Sequence, residues 1–381
     1  LWDGRELSTS TKPSVGLITI NSRAALHRLL RNPELQFGYG YSSDEIEVEG
    51  DLVAVLEQLY CSVYGRAGSS SVLEWFLSWI YQPPAARPNT LEGSKQNIHN
   101  HYDIGNDFYQ LWLDRQLVYT CAYYPTRSAE LEAAQIAKMD HVCRKLNLQP
   151  GDRVIEAGCG WGALAMHMAR HYGVQVKAYN ISGEQVRFAR ERAAEEGLAG
   201  QVEFLQRDYR EIGGECDAFV SVGMLEHVGP DNFQTLGRVI NRCLTDRGRG
   251  LIHTIGRNRP RRMNAWIEKR IFSGAYPPTL REMMEIFEPS GFSVLDVENL
   301  RLHYALTLRH WLQRYESVVG QVESMFDREF TRAWRLYLAG SIAAFEMGAL
   351  QLFQVSFARG HQNQIPWTRE YLYQKHSDGE R

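Results

Sequence analysis

A short segment that combines an acid with glycines offers the most readable chemistry in the sequence. Glu156 precedes Gly158, Gly160 and Gly162, and the residues RVIEAG that lead into the glycines have the pattern of a buried strand. Glycine lets the chain turn sharply after a strand and lets a ligand approach the backbone closely. The following ALAMHMARHYG has the pattern of a helix, so the segment predicts a strand–loop–helix unit able to bind a nucleotide.

The details of this loop argue against a nicotinamide cofactor. The glycines lack the GxGxxG spacing, and the next strand, VQVKAYNIS, ends in Asn180 where an acid would bind the ribose. The early acid and the later EFLQRDYREI instead resemble the S-adenosylmethionine loop of class I methyltransferases. That resemblance implies that Glu156 and the glycines hold the amino-acid end and the ribose of the cofactor, and that Asp208 meets the adenine.

A second chemically suggestive stretch, LVYTCAYY, places Cys121 among aromatic residues. A cysteine in such a run can be a nucleophile, a metal ligand or a small apolar residue. The six cysteines show no CxxC pairing, so neither a zinc spacing nor a small-domain disulfide framework is present. His99 and His101 form an HxH pair, but no carboxylate or cysteine pattern completes it, and we predict no metal site.

The elements that must position these residues divide into two parts. Residues 1–82 are predicted to form a small α+β domain associated with lipid or membrane, and the proline-rich residues 83–95 a linker. Residues 96–381 alternate strand and helix signals until about residue 300, which predicts an α/β fold with a mostly parallel sheet. With the glycine loop, this is the Rossmann-like fold of a class I methyltransferase. Residues 308–360 are predicted to be helical and amphipathic.

Composition and charge narrow the class of protein. The 381 residues are 44% hydrophobic and 23% charged, as in a globular protein, and the net charge of -3 gives no reason to expect nucleic acid as a partner. No stretch reaches the ~18 apolar residues of a membrane-spanning helix. No signal peptide opens the sequence, so we expect a cytoplasmic protein. The basic residues 247–270 are either a solvated loop or a patch for anionic lipid.

Five motifs in a fixed order resemble one family. HNHYDIGNDFYQLWLD, YTCAYY, VIEAGCGWG, MLEHVG and LHYALTLRHW are similar to segments of the cyclopropane-fatty-acyl-phospholipid synthases and the related mycolic-acid cyclopropane synthases. The resemblance covers nearly the whole chain. It implies transfer of a methylene group from S-adenosylmethionine across the cis double bond of an unsaturated phospholipid acyl chain. It further implies a homodimer bound peripherally to the inner face of the membrane. The resemblance completes the cofactor set as Tyr119, Thr120, Glu156, Gly158, Gly160, Gly162, Asn180, Ile181, Gln185, Asp208 and Tyr209.

The same resemblance implies an anion site. In the family, a bicarbonate ion is held at positions that here are Cys121, Glu226, His253, Ile255 and Tyr304. Bicarbonate is then the expected base, and Cys121 is expected to act through its backbone and small size rather than as a nucleophile. The sequence departs from the family at Thr120, where relatives have Ser, and at Asn180, where Thr is common.

The implied reaction explains why these residue types are needed. The alkene attacks the methyl group of the sulfonium, and positive charge develops on the acyl chain, which aromatic faces can stabilise if water is excluded. The candidate rings are Tyr119, Tyr123, Tyr124, Tyr276 and Tyr304. A base must then remove a proton from the transferred methyl group so that the ring closes. The alternatives are methylation of an acyl chain without ring closure, methylation of a small amine, and a lipid-binding protein with a vestigial site.

Overall fold

The computed structural model describes residues 1–7, 14–64 and 104–373. These residues belong to two compact units, each assembled from several stretches of chain. The first unit comprises Leu1–Leu113, Ile255–Thr279 and Arg301–Leu352, and the second comprises Asp114–Thr254, Leu280–Leu300 and Phe353–Arg381. The predicted linker, the His99–His101 pair and a Trp-rich helix expected near residue 75 lie outside the described residues. The predicted domain boundaries therefore stay predictions.

The described chain contains nine strands and thirteen α-helices, numbered here in chain order. The strands are β1 Gly16–Ile20, β2 Ile46–Gly50, β3 Arg153–Ala157, β4 Gln175–Asn180, β5 Val202–Gln206, β6 Cys216–Val222, β7 Leu244–Gly256, β8 Phe292–Asn299 and β9 Gln351–Arg359. The helices are α1 Arg23–Arg31, α2 Pro33–Ser42, α3 Leu52–Tyr64, α4 Asn106–Gln110, α5 Leu131–Leu146, α6 Ala163–Tyr172, α7 Gly183–Glu195, α8 Phe233–Cys243, α9 Ala265–Arg270, α10 Leu280–Phe287, α11 Arg301–Ser317, α12 Val319–Met325 and α13 Arg328–Glu346.

A seven-stranded sheet is the centre of the second unit. Its strand order is β5-β4-β3-β6-β7-β9-β8. The strands from β5 to β7 pair in parallel, and β8 pairs antiparallel with β9. Successive side chains of β3 enter different hydrophobic clusters, Val154 with residues of α5, α6 and α7, and Ile155 with residues of α8 and α10. The predicted α/β fold with a mostly parallel sheet and helices on both faces is confirmed.

Strand β9 corrects one prediction. Residues 308–360 were expected to be helical throughout, but the helices end at Glu346 and the segment QLFQVSFAR is a strand between β7 and β8. Every residue from Gln351 to Ala358 is buried. A strand buried on both faces has no alternation of polar and apolar residues, so its period cannot be distinguished from that of a buried helix.

The first unit holds the N-terminal elements. The predicted strands β1 and β2 pair antiparallel, and the two predicted helix caps are present: Ser22 accepts from the backbone N–H of Ala25, and Asp51 from that of Val53. Helix α13 packs against α2, α3 and α11. Within the described segments, none of the helices is both long enough and apolar enough to cross a bilayer.

Candidate active site

The glycine loop follows β3 and leads into α6. Gly158, Gly160 and Gly162 have φ angles of 87°, 54° and 83°, a region that favours glycine. A Cβ at Gly158 would lie 2.9 Å from Met224 Cβ, and one at Gly162 would lie 2.6 Å from the ring of Phe204. The loop therefore depends on three glycines for its conformation and on two of them for close packing.

Asn180 holds this loop in place. The backbone N–H groups of Gly158 and Cys159 donate to the carbonyl oxygen of Tyr179 at the end of β4, at 2.8 and 3.1 Å. One residue later, Asn180 Nδ2 donates to the carbonyl of Gly160 at 3.2 Å and to Gln185 Oε1 at 2.8 Å. The side chain predicted to contact the cofactor thus ties the glycine loop to the start of α7.

Glu156 supplies a buried acceptor beside the glycines. Its side chain is 2% exposed, and its Oε2 atom has no hydrogen-bond partner among the described residues. Burial raises the pKa of Glu156 to about 8, while Lys138 and a backbone N–H at Ala165 act in the opposite direction. A carboxylate oxygen placed in this way fits a ligand that donates hydrogen bonds, such as the hydroxyl groups of a ribose.

Lys138 and Gln135 on α5 hold the YTCAYY segment, and the sequence analysis did not single them out. Lys138 Nζ donates to Thr120 Oγ1 at 3.0 Å, and Gln135 Nε2 donates to the backbone carbonyl of Thr120 at 3.0 Å. Lys138 is buried, which lowers its pKa to about 8, although Asp114 opposes that shift. A lysine and a glutamine on the apolar face of α5 are the only local signal of this role.

The predicted adenine-binding residues follow β5, at the same edge of the sheet as the glycine loop. Asp208 begins a 3-10 turn and accepts from the backbone N–H of Arg210 at 2.9 Å, while Glu211 accepts from the N–H of Asp208. The hydroxyl of Tyr209 is buried and has no hydrogen-bond partner within the described residues. Ile181 and Gln185 lie at the corresponding end of β4, so this edge gathers most of the predicted cofactor set.

Glu226 and His253 lie at the carboxyl ends of neighbouring parallel strands. Glu226 is in the 3-10 turn that follows β6, and His253 is near the end of β7. The backbone N–H of Gly223 donates to the carbonyl of His253 at 2.9 Å. A Cβ on Gly223 would lie 3.0 Å from the methyl group of Thr120, which brings the YTCAYY segment to the end of β6.

Cys121 is inside the protein. Its side chain is fully buried, and its thiol contacts the carbonyl oxygens of Ala122 at 3.1 Å and Leu300 at 3.9 Å. Among the described residues, no group of three or more His, Cys, Asp or Glu side chains could hold a metal ion. The thiol environment is that of a packed residue, while a role for the Cys121 backbone stays a prediction.

His253 is neutral and is contacted from the next strand. Burial lowers the pKa of His253 to about 3. Gln354 of β9 places its Nε2 atom 3.0 Å from His253 Nδ1. Gln354 was missed by the sequence analysis because the strand that carries it was expected to be helical.

The candidate tyrosines differ in their surroundings. The ring of Tyr123 stacks on His141 at 4.3 Å, and His141 contacts Glu298 at 2.7 Å. Tyr124 is buried. Tyr304 belongs to the first unit, where its ring packs against Phe345 at a centroid distance of 4.7 Å.

The second unit brings Cys121, Glu226 and His253 onto one sheet edge or its flanking segment. Ile255 and Tyr304 belong to the first unit. Their participation in the same anion site is a prediction from the sequence.

The basic segment lies largely in the first unit and is partly paired there. Arg261 forms an ion pair with Glu34 at 3.2 Å, and Arg270 with Glu329 at 2.7 Å. Arg259 and Arg262 are exposed. Part of the predicted lipid patch is therefore occupied by contacts within the protein.

Comparison with known proteins places this geometry in a family. The family model described as mycolic acid cyclopropane synthetase matches residues 90–355, and one described as a domain of unknown function, DUF7884, matches residues 1–69. A "probable fatty acid methyltransferase" of Pseudomonas putida is 36% identical over 98% of this chain and 95% of its own. The cyclopropane-fatty-acyl-phospholipid synthase of Escherichia coli K12 is 40% identical over 88% of this chain and 86% of its own.

A solved structure agrees with both matches. The mycolic acid cyclopropane synthase CmaA1, complexed with SAH and CTAB, superposes with a TM-score of 0.66 and 30% sequence identity, covering 69% of this chain and 97% of that one. The fold is shared with methyltransferases that bind this cofactor product. The chain is an enzyme of the mycolic acid cyclopropane synthetase family, with the fold of an S-adenosylmethionine-dependent methyltransferase.

Proposed function

We propose that this enzyme transfers a methylene group from S-adenosylmethionine across the cis double bond of an unsaturated phospholipid acyl chain, forming a cyclopropane. The observation that carries the proposal is the carboxyl edge of the sheet. That edge combines a glycine loop and the buried acceptor Glu156 with the buried polar residues Glu226 and His253. Family membership supports the same reaction class.

The cofactor fits the loop on physical grounds. S-Adenosylmethionine supplies an electrophilic methyl group when it is bound. Glu156 Oε2, which lacks a hydrogen-bond partner in the described part of the chain, would accept from ribose hydroxyl groups. The glycines would let the ligand approach the backbone, and Asn180 would keep Gly160 in position. Asp208 and Tyr209 would contact the adenine at the end of β5.

We propose that a bicarbonate ion is bound by Glu226, His253 and the backbone of Cys121, with Ile255 and Tyr304 as further predicted ligands. Bicarbonate would supply a small base that is not tethered to a side chain. The buried Nε2 atom of His253 has no hydrogen-bond partner among the described residues, and a neutral imidazole can donate from that nitrogen. Glu226 would accept a hydrogen bond from the hydroxyl group of the ion.

The protein must also stabilise the carbocation without exposing it to water. Tyr119 and Tyr123 on the YTCAYY segment provide aromatic faces, which attract a cation by roughly 0.5–2 kcal/mol. The stack of Tyr123 on His141 would fix the orientation of that ring. The buried Cys121 and Ala122 leave the backbone of the segment shielded from solvent.

We further propose that the enzyme is a cytoplasmic homodimer that binds the inner face of the membrane peripherally and acts there on phospholipids. The proposal follows from the family resemblance and from the substrate, because the double bonds of a bilayer can be reached only at its surface. Exposed Arg259 and Arg262 are suited to anionic head groups.

Lipid analysis of cells that express the protein, in a host without its own cyclopropane lipids, tests the function. We expect the olefinic proton signals to decrease and cyclopropane ring protons to appear, with a mass gain of one CH2 group. Mass alone does not separate a ring from a methylene branch, so the proton spectrum decides between ring closure and simple methylation. Methylated small amines without any change in the lipids would contradict the proposal.

A further inference from the structure

Gln354 contacts the ring of His253 through the nitrogen that faces away from the proposed anion. Gln354 is fully buried on β9, which neighbours β7 in the sheet, and its Nε2 atom lies 3.0 Å from His253 Nδ1. The other ring nitrogen of His253, Nε2, is buried and has no hydrogen-bond partner in the described residues. One side of the imidazole is therefore assigned to a protein partner, and the other is available to a ligand.

The protonation state of the ring limits what it can do. Burial lowers the pKa of His253 to about 3, with Lys138 and Lys145 acting in the same direction and Glu298 against it. A neutral imidazole has a single N–H, and the hydrogen bond at one nitrogen decides which of the two carries it. An amide group can donate to Nδ1, whereas a carboxylate can only accept from it.

We infer that Gln354 is a positioning residue: its amide N–H donates to Nδ1 of His253 and keeps the proton of the ring on Nε2, where it serves as a donor to an anionic oxygen in the active site. This inference rests on the proposed function, because it assigns the ligand-facing nitrogen to an anion. The described contacts give Gln354 its place in the site through the histidine rather than through the substrate.

The assignment has a consequence for proton transfer. With the proton on Nε2, His253 presents a donor and no lone pair to the site, so it cannot accept the proton that is lost at ring closure. With a carboxylate at position 354, Nδ1 would become the protonated nitrogen, and the Nε2 lone pair would face the anion and repel it. Glutamine at this position therefore favours a neutral donor over a base.

Nitrogen NMR of the whole protein tests the inference without reference to activity. The protein has 12 histidines, so the signals of His253 are assigned in 15N-histidine-labelled protein by their absence in His253→Asn. We expect a neutral ring with Nε2 protonated and Nδ1 unprotonated in the wild type. In Gln354→Glu we expect the proton at Nδ1. A wild-type ring with its proton on Nδ1 would overturn the inference, and this measurement does not depend on any variant folding.

Activity measurements add a second test. Gln354→Leu removes the donor and should lower kcat by roughly 10- to 100-fold, as losses of a histidine-orienting partner do. Gln354→Glu should lower it by on the order of 10²- to 10³-fold, because the donor to the anion is lost. Both variants should bind S-adenosylmethionine like the wild type by calorimetry. Ser356→Ala, which removes another buried polar group two residues further along β9, is the matched control and should retain full activity.

The outcomes separate this inference from the proposed function. A wild type that makes no cyclopropane lipid refutes the function, whatever the tautomer of His253. An active wild type in which both Gln354 variants keep full kcat refutes the inference alone. A loss of activity in Gln354→Leu equal to that in Ser356→Ala would indicate a packing effect and would also refute it.

Discussion

The glycine loop and the Glu226–His253 edge lie at the same end of one sheet, but they are built from different materials. The loop consists of backbone in left-handed conformations, from which side chains at Gly158 and Gly162 are excluded by Met224 and Phe204. The edge consists of buried side chains whose protons matter. A change in the loop should therefore act by steric exclusion on cofactor binding. A change at the edge should leave binding intact and act on the chemical step.

The largest effect is expected from Gly158→Val, which should abolish S-adenosylmethionine binding. A β-branched residue rarely adopts a φ of 87°, and the new Cβ would lie 2.9 Å from Met224 Cβ. The left-handed conformation alone costs about 1–2 kcal/mol. Calorimetry on the folded variant measures the loss.

A matched substitution separates cofactor exclusion from backbone strain. Gly173 has a φ of 64° at the end of α6, where a Cβ would make only an ordinary contact, 3.6 Å from Pro150. Gly173→Val should lower stability and retain cofactor affinity. Equal affinity in Gly158→Val and the wild type would remove the loop from the cofactor site.

Glu226→Gln should lower kcat by roughly 10²- to 10⁴-fold, because it replaces the acceptor that orients the proposed base. Its affinity for S-adenosylmethionine should match that of the wild type, since the residue follows β6 rather than the glycine loop. Cys121→Ser is the comparison variant. It should keep activity within about tenfold, because a serine keeps the backbone and the small size, whereas a catalytic thiolate could not be replaced.

Assays in bicarbonate-depleted buffer, and again after bicarbonate is restored, complete this pair of variants. The wild type and Cys121→Ser should lose activity on depletion and regain it on restoration. An inactive Cys121→Ser beside a normal Glu226→Gln would mean that the anion mechanism is wrong and that covalent chemistry occurs at Cys121.

Cofactor affinity should rise with pH until about pH 8. Burial raises the pKa of Glu156 to about 8 despite the nearby Lys138, so the carboxyl group is largely protonated at neutral pH in the free enzyme. Accepting hydrogen bonds from a ribose favours the ionised form, so binding releases a proton and affinity gains up to about tenfold per pH unit. Calorimetry in two buffers with different ionisation enthalpies measures the released proton. Glu156→Gln should bind more weakly and without this pH dependence.

The same shift has the opposite sign for the stability of the free enzyme. Because the folded-state pKa of Glu156 lies above the model value of 4.5, the folded protein binds more protons than the unfolded chain between pH 4.5 and about 8. Its contribution to stability is full below that window and is lost as pH rises through it. Thermal unfolding of wild type and Glu156→Gln across the window should differ in slope, and parallel curves would contradict the assigned pKa.

The contrast between loop and edge also explains what the sequence could reveal. The glycine loop, the Ser22 and Asp51 caps and the parallel sheet depend on contiguous residues with strong local preferences, and all of them were predicted correctly. The edge depends on residues that meet only after folding. Motif resemblance identified Glu226 and His253, but it gave no information about what holds them.

Gln354 and Lys138 show why the rest was missed. Strand β9 is buried on both faces, so its sequence lacks the alternation that marks a strand, and Gln354 was assigned to a helix. Lysine is rarely buried, so Lys138 in a helix reads as a solvent-exposed residue until its contact with Thr120 is seen. Both side chains have a meaning only through a distant partner.

The smallest expected effect lies outside both regions and tests whether they are independent of membrane binding. Arg262 is exposed in the basic segment, and Arg262→Glu should weaken binding to anionic vesicles by about 1 kcal/mol for each charge removed near the surface. Arg261→Glu should also disrupt the ion pair with Glu34, so its effect would mix binding with stability. Arg238→Glu, the same charge change on exposed α8, is the control and should sediment with vesicles like the wild type.

The decisive comparison is between vesicles and dispersed substrate. Arg262→Glu should need more vesicle lipid to reach half-maximal rate, yet match the wild type in cofactor affinity and in kcat on detergent-dispersed phospholipid. Increased salt should remove the difference between the two proteins, since screening weakens the attraction of exposed charges to the surface. Vesicle binding that is indifferent to Arg262→Glu and to salt would make the segment a solvated loop. A fall in kcat on dispersed lipid would instead link this segment to the chemistry at the sheet edge.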